Sequence, residues 1–290
     1  MTKRLGILGP QGTHSEEAAI YLNKKFTEPM QLKIYSEIYE VLNAVEEGRI
    51  DCGLVPVENS LEGSVNITLD TLARSDNIVV ACELIWTVHN NLMAKSGVEI
   101  GNIKKIFSHA QPISQCRNFL RSKCPEAEAC TTSSTARAAE IAAKSNVEEA
   151  VAAICTARAG ELNGLKLLVS DVQDNMNNCT RFFEVCRSSD ISEIVSFNKF
   201  ANHNDKMLII CQIYGEKAGA LCEVLEEFAN RNVNMTRIES RPARTKLGDY
   251  IFFFDLDTNA EAGMLDESIE AVRKKSIWLK SLGKFPVIVS

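Results

Sequence analysis

Short apolar runs take turns with amphipathic segments through the N-terminal part of the chain, and no other feature limits the possible folds as strongly. The runs "RLGILG", "QLKIYS" and "CGLVPV" read as strands. Between them, "THSEEAAIYLNKKF" and "EIYEVLNAVEEG" read as helices. The second helix places Ile38, Val41, Leu42 and Val45 on one face and ends at Gly48. At the start of the first, Thr13 and Glu16 stand at capping-box spacing. "NITLDTLARS" continues the helical pattern. This βαβαβ rhythm predicts a parallel sheet covered on both faces.

A second set of elements follows. "NIVVACELIWTVHNNLMA" reads as a long strand or a strand pair, and "KKIFSH", "EAVAAICT", "LKLLVS" and "CTRFFEVC" as further strands. "QPISQCRNFLRSK" and "STARAAEIAAKS" read as helices. So long a stretch of α/β pattern predicts two linked lobes with a cleft between them, like a periplasmic binding protein, with helices on both faces of the sheets. From Arg187 to Asn204 the periodicity fades, which places a linker over 188–204, between a domain over 1–187 and one over 205–290. The last domain runs strand "KMLIICQIY", helix "AGALCEVLEEFANRN", strands "VNMTRIESRP" and "GDYIFFFDLDT", helix "AGMLDESIEAVRKKS", and a final strand with a turn in "IWLKSLGKFPVIVS". That order is the βαββαβ ferredoxin-like unit.

Composition narrows the partners. The net charge is −6 with scattered Lys and Arg, which leaves no footprint for a nucleic acid. No apolar run is long enough for a membrane span, and the N-terminal apolar stretch is too short for a signal peptide. The 10 cysteines include no C-x-x-C and sit mostly in apolar surroundings, which points to free thiols in a reducing cytoplasm. The 4 histidines, His14, His89, His109 and His203, are far apart, so no metal site is expected.

In an open α/β sheet, ligands sit beyond the carboxyl ends of the strands, and several polar motifs fall there. "LGPQGTHSEEA" is neither a P-loop nor a dinucleotide fingerprint; it is either an ordinary tight turn or a set of helix-start N–H groups able to hold a carboxylate. "VPVENSLEGSV" sets Glu58, Asn59 and Ser60 after a buried strand. "FSHAQPISQC" carries Ser108, His109, Gln111 and Gln115, and the ordinary role for His109 is structural. In "TTSSTARAA", helix capping accounts for one or two of the hydroxyls. In "DNMNNCTRFFEV", Thr180 and Arg181 stand where a loop of amides becomes an apolar strand. Together these residues suit a small polyanion held by hydrogen bonds.

In this order, "GPQGTHS", "VPVENSLEG", "SHAQPISQC", "TSSTARAA" and "NNCTRFF" closely resemble the motifs of the prephenate dehydratase family. "GAL" at 219–221 and "ESRP" at 239–242 resemble those of the ACT regulatory domain of that family. His14 departs from the pattern, because the family often has an aromatic residue there; the change is expected to alter packing near the cleft more than chemistry. The resemblance implies decarboxylating dehydration of prephenate to phenylpyruvate, without a cofactor. It implies a catalytic set of Thr180, Arg181, Phe182, Glu58 and Asn59, with Thr180 essential, and substrate contacts from Thr13, Ser60, Gln111, Gln115, Ser133 and Ser134. It further implies L-phenylalanine as effector at Gly219, Ala220, Leu221, Glu239, Ser240, Arg241 and Pro242, and a homodimer or a tetramer through the ACT and catalytic domains. Arogenate dehydratase shares the motifs, and a non-catalytic amino-acid sensor is the alternative from another class. A chain cut after about Arg187 is expected to keep some activity if soluble and to ignore phenylalanine.

Overall fold

The computed structural model describes residues 2–199, 205–246 and 248–290 of the 290-residue chain. The first lobe is built on a sheet whose strands lie in the order Val287–Val289, Ile78–Thr87, Cys179–Arg187, Cys52–Asn59, Arg4–Leu8 and Gln31–Tyr35. The short strand Gly63–Ser64 pairs with Cys52–Asn59. Arg4–Leu8 is parallel to both of its neighbours, as the βαβαβ rhythm predicts. The sheet is nevertheless mixed, because Cys179–Arg187 runs antiparallel to the strands on either side. Its direction follows from its origin: the chain re-enters this lobe directly from the second lobe, not over a helix on the face of the sheet.

Both faces are covered. Ala18, Ala19 and Leu22 of the helix His14–Asn23 pack with Leu5, Ile7, Leu84 and Phe182. Val41, Leu42 and Val45 of the helix Ile38–Glu46 pack on the opposite face with Val55, Phe183 and Val185. The capping box expected at Thr13 does not form. The Thr13 side chain makes no cap, and the Glu16 carboxylate takes the N–H of Gly12 instead. Gly12 sits so close to Ala159 of the second lobe that a Cβ there would lie 2.9 Å from its Cα. The turn therefore serves close packing between lobes.

The second lobe has a five-stranded sheet in the order Lys166–Val169, Asn91–Ala94, Val151–Cys155, Lys105–Ser108, Glu128–Thr131. Two crossovers, 88–90 and 170–178, join the lobes and bind each other. Val88 N–H donates to the Asn178 carbonyl at 2.9 Å, and Val172 N–H to that of Asn90 at 2.8 Å.

The polar stretch read as a linker contains a helix, Ile191–Phe197. Its Ile194 is fully buried against the first lobe, in the cluster that holds Leu22 and Phe26. One buried side chain in so short a helix leaves little periodicity to detect. Residues 200–204 of the expected linker lie outside the described residues.

The C-terminal domain has the expected βαββαβ order, with its sheet arranged Met235–Pro242, Tyr250–Asp257, Lys206–Ile213, Ser276–Phe285. The helices Ala220–Ala229 and Met264–Lys275 cover one face through Val224, Phe228, Ile269 and Val272. The other face does not meet water. Leu208, Ile210, Phe253, Leu282 and Phe285 share one apolar core with Val45, Val57, Leu72, Val80 and Phe183 of the first lobe. Past Phe285 the chain adds Val287–Val289 to the first-lobe sheet, parallel to Ile78–Thr87. A cut after Arg187 would strip that strand and bare the shared core, so this packing gives no support to the expectation of a catalytic part that stands alone.

Candidate active site

A cleft of about 290 Å³ opens between the lobes, lined from the first lobe by Asn59 and Thr180, from the crossovers by Asn90 and Asn178, and from the second lobe by Gln111 and Gln115. That is near the lower end of ligand-pocket volumes, roughly 300 Å³ and above. His14, Pro56, Ser64, Val65, Val88 and Pro112 also border it, and no lysine or arginine does so among the described residues.

A chain of amides runs along the cleft, and its polarity is fixed at one end by backbone. The N–H groups of Leu61 and Glu62 donate to Asn59 Oδ1 at 3.0 and 3.2 Å. Asn59 Nδ2 must then donate, and its two N–H groups are shared among Asn178 Oδ1 at 2.9 Å, Thr180 Oγ1 at 3.0 Å and the Cys179 carbonyl at 3.2 Å. Asn178 Nδ2 in turn donates to Gln115 Oε1 at 3.1 Å, which also accepts from Asn90 Nδ2 at 3.5 Å. This order leaves the Thr180 proton, Gln115 Nε2 and Asn90 Oδ1 uncommitted. The last two are buried without a hydrogen-bond partner among the described residues. Thr180 is thus an acceptor toward the protein and a donor toward the cleft.

The strand Cys179–Arg187 alternates, and its other residues lead elsewhere. Arg181 turns from the cleft to the C-terminal domain. Its guanidinium meets Glu58 at 2.9 Å, both oxygens of Glu83 at 3.0 and 2.8 Å, and Asp255 at 2.7 Å. Burial alone would raise Glu83, but Arg181 and Lys206 outweigh it and hold this carboxyl below its ordinary range. Glu58 also binds Arg237 of the C-terminal domain at 2.8 Å. Phe182 is buried in the first-lobe core and anchors the strand. Ser60 ties the loop to the strand, accepting from Cys179 N–H at 3.0 Å. Thr13 donates to the Leu8 carbonyl at 3.4 Å. Ser134 caps the helix Thr135–Lys144 by accepting from Arg137 N–H at 3.0 Å, and Ser133 is exposed. Of the residues named from sequence for the substrate, the cleft brings together Thr180, Asn59, Gln111 and Gln115 and leaves Arg181, Phe182, Glu58, Thr13, Ser60, Ser133 and Ser134 outside its lining. Asn178 and Asn90 were not singled out, although Asn178 stands within the motif that carries Thr180.

A second cavity, about 390 Å³, lies at the start of the helix Ala220–Ala229. Gly219, Ala220 and Leu221 line it together with Tyr214, Lys217 and Phe252. Gly219 has φ of 80°, a left-handed conformation that glycine adopts without strain. The strand Met235–Pro242 lies at the sheet edge and does not border this cavity. Its residues alternate. Glu239 accepts from Ser64 Oγ at 3.0 Å and Arg241 pairs with Asp70 at 3.2 Å, both toward the catalytic domain, while Ser240 and Pro242 are exposed on the other face.

The fold and cleft define a two-lobed α/β unit of ligand-binding form, fused through a common core to a ferredoxin-like domain. The prephenate dehydratase family model matches residues 5–190, and the ACT domain model residues 209–273. The chain belongs to the prephenate dehydratase family and carries a C-terminal ACT domain. It is 36% identical to the prephenate dehydratase of Methanocaldococcus jannaschii, over 96% of each chain. With that of Lactococcus lactis subsp. cremoris it shares 33% identity over 98% of each. The structure of prephenate dehydratase from Arthrobacter aurescens in complex with L-Phe superposes with a TM-score of 0.82 at 31% identity, covering 98% of this chain and 89% of that one.

Proposed function

We propose that this chain converts prephenate to phenylpyruvate in the interlobe cleft, under restraint by L-phenylalanine at the ACT domain. In that reaction the bond from the ring to its carboxylate breaks and leaves its electron pair in the ring. The bond to the ring hydroxyl breaks in turn, and the hydroxyl departs as water with a proton drawn from solvent. Aromatisation drives both. The protein's part is to hold the leaving oxygen with a donor aimed in advance. The observation that carries this reading is the Thr180 hydroxyl, whose oxygen accepts from Asn59 at 3.0 Å and whose proton is left to a ligand in the cleft. A threonine hydroxyl is a weak acid, so Thr180 acts as an orienting donor. Neutral amides around the cleft suit the loss of carbon dioxide as well. A carboxylate pinned to a cation gains stability in the ground state that it loses as its charge disperses.

For regulation, the cavity at Gly219–Leu221 offers helix-start N–H groups to the carboxylate of an amino acid. Ser240 and Pro242 are exposed on an edge strand, which supports side-by-side pairing of two ACT domains and a dimer or a pair of dimers as the working unit. Arg181 and Glu58 are positioning residues in this reading. They pair with each other on the reverse side of the strands that present Thr180 and Asn59, and the ACT domain grips both.

The test is Thr180→Val, assayed for phenylpyruvate formation. The variant is expected to fold as wild type and to lose about 10²–10³-fold in kcat. Turnover near that of wild type in a folded variant would contradict the assignment.

A further inference from the structure

His14 borders the cleft with both ring nitrogens buried and without a hydrogen-bond partner among the described residues. Its nearest ion-pair candidate, Glu17 Oε2, is 3.9 Å from Nδ1, beyond hydrogen-bonding reach. Two further unpaired buried atoms line the same cleft, Asn90 Oδ1 and Gln115 Nε2. A native fold rarely leaves one such atom, since each costs on the order of a hydrogen bond's desolvation. Asn90 stands near enough to act on the imidazole as a hydrogen-bonding neighbour, so Gln115 Nε2 and the imidazole nitrogen turned from Asn90 are the atoms that mark a place completed by a ligand.

The chemistry of that ligand group follows from the fixed amide order. Gln115 Nε2 can only donate and Asn90 Oδ1 can only accept, while a neutral imidazole offers one donor and one acceptor. A keto oxygen accepts only and an ammonium donates only. A hydroxyl does both. We propose that His14 is a substrate-contacting residue of this cleft which accepts from the hydroxyl that leaves the ring, while Gln115 Nε2 and Thr180 donate to that hydroxyl and Asn90 Oδ1 fixes the imidazole. The proposal rests on the reading of the cleft as the prephenate site. Burial supports it by pulling the imidazole down to about 4, opposed only in part by the neighbouring Asn90, so that the ring stays neutral at neutral pH. His14 is then no packing substitute for an aromatic ring. It supplies polarity at a position where a phenyl ring would supply none.

Three substitutions separate contact from packing. His14→Phe keeps a ring and removes the polarity. His14→Gln keeps both donating and accepting groups, and His14→Leu keeps neither. We expect His14→Phe to lower kcat/KM for prephenate about 10-fold or more, mostly in kcat, with Tm close to wild type, because an unpaired imidazole nitrogen goes while Asn90 Oδ1 loses its partner. We expect His14→Gln to exceed His14→Leu by a similar factor, a comparison that stands even where the phenylalanine variant fails to fold. Phe and Leu variants within about threefold of wild type, or Gln no better than Leu, would overturn the proposal. Thr180→Val in the same assay keeps the two claims apart. Wild-type turnover there removes the cleft assignment itself, whereas a dead Thr180→Val beside a fully active His14→Phe removes only the role of His14.

Discussion

Thr180 and Arg181 are neighbours in the chain with opposite surroundings. The threonine faces a cleft, and the guanidinium is locked among Glu58, Glu83 and Asp255, the last two almost wholly buried. Removing one member of such a set leaves buried charge without compensation, at about 3–5 kcal/mol. Arg181→Ala is therefore expected to lower the denaturant midpoint markedly and to lose activity through the fold. Undiminished stability with lost turnover would instead make Arg181 a catalytic group. Glu184, further along the same strand, is fully buried, with one oxygen accepting from Cys82 Sγ at 3.3 Å and the Asn198 and Cys52 side chains beside it. Burial raises its carboxyl to about 7. The folded state then holds a proton that the unfolded state releases at its ordinary value, so this group's contribution to stability falls as pH rises from about 4.5 to about 7 and is flat above. Glu184→Gln should raise Tm by a few degrees at pH 8 and by little at pH 5. Calorimetry at the two pH values is the check, and an equal change at both would contradict this account.

At the scale of elements, the strand Met235–Pro242 joins two functions by its alternation. One face gives Arg237, Glu239 and Arg241 to the catalytic domain, and the other leaves Ser240 and Pro242 exposed. Arg237 binds Glu58 and Ser64 at 2.8 and 2.7 Å, and Ser64 borders the cleft. If this contact carries the effector signal, Arg237→Leu raises the half-inhibiting phenylalanine concentration about fivefold or more, a coupling on the order of 1 kcal/mol. Inhibition curves measure it, and an unchanged midpoint places the coupling elsewhere. The same alternation explains what was legible in the sequence. The elements and the ferredoxin-like order were plain from periodicity, and Thr180, Asn59, Gln111 and Gln115 stood out as polar residues at strand ends. A strand sends successive side chains to opposite faces, so Thr-Arg cannot present both groups to one cleft, nor can Glu-Ser-Arg-Pro to one effector. Taking each motif as a single patch hid that. Asn90 and His14 were harder to read, because their role depends on which amide oxygen is already taken, and a one-dimensional pattern carries no such information.

At the scale of the molecule, the ACT domain is less an appendage than one wall of the catalytic core. Phe253 and Phe285 are packed into the cluster that supports Phe183 and Val185 on the strand presenting Thr180, and the last strand of the chain completes the first-lobe sheet. Packed side chains and the charged contacts beside them thus connect the ACT sheet without a break to the strand that presents Thr180. Phenylalanine inhibits only by binding the less active arrangement more tightly. The most direct test of this account is one assay on the full chain, initial rates of phenylpyruvate formation from prephenate and of phenylalanine formation from arogenate, each with and without L-phenylalanine. The account predicts turnover of prephenate in preference to arogenate, suppressed by L-phenylalanine. Binding of L-phenylalanine by a folded protein that turns over neither compound would contradict it and leave an amino-acid sensor in its place.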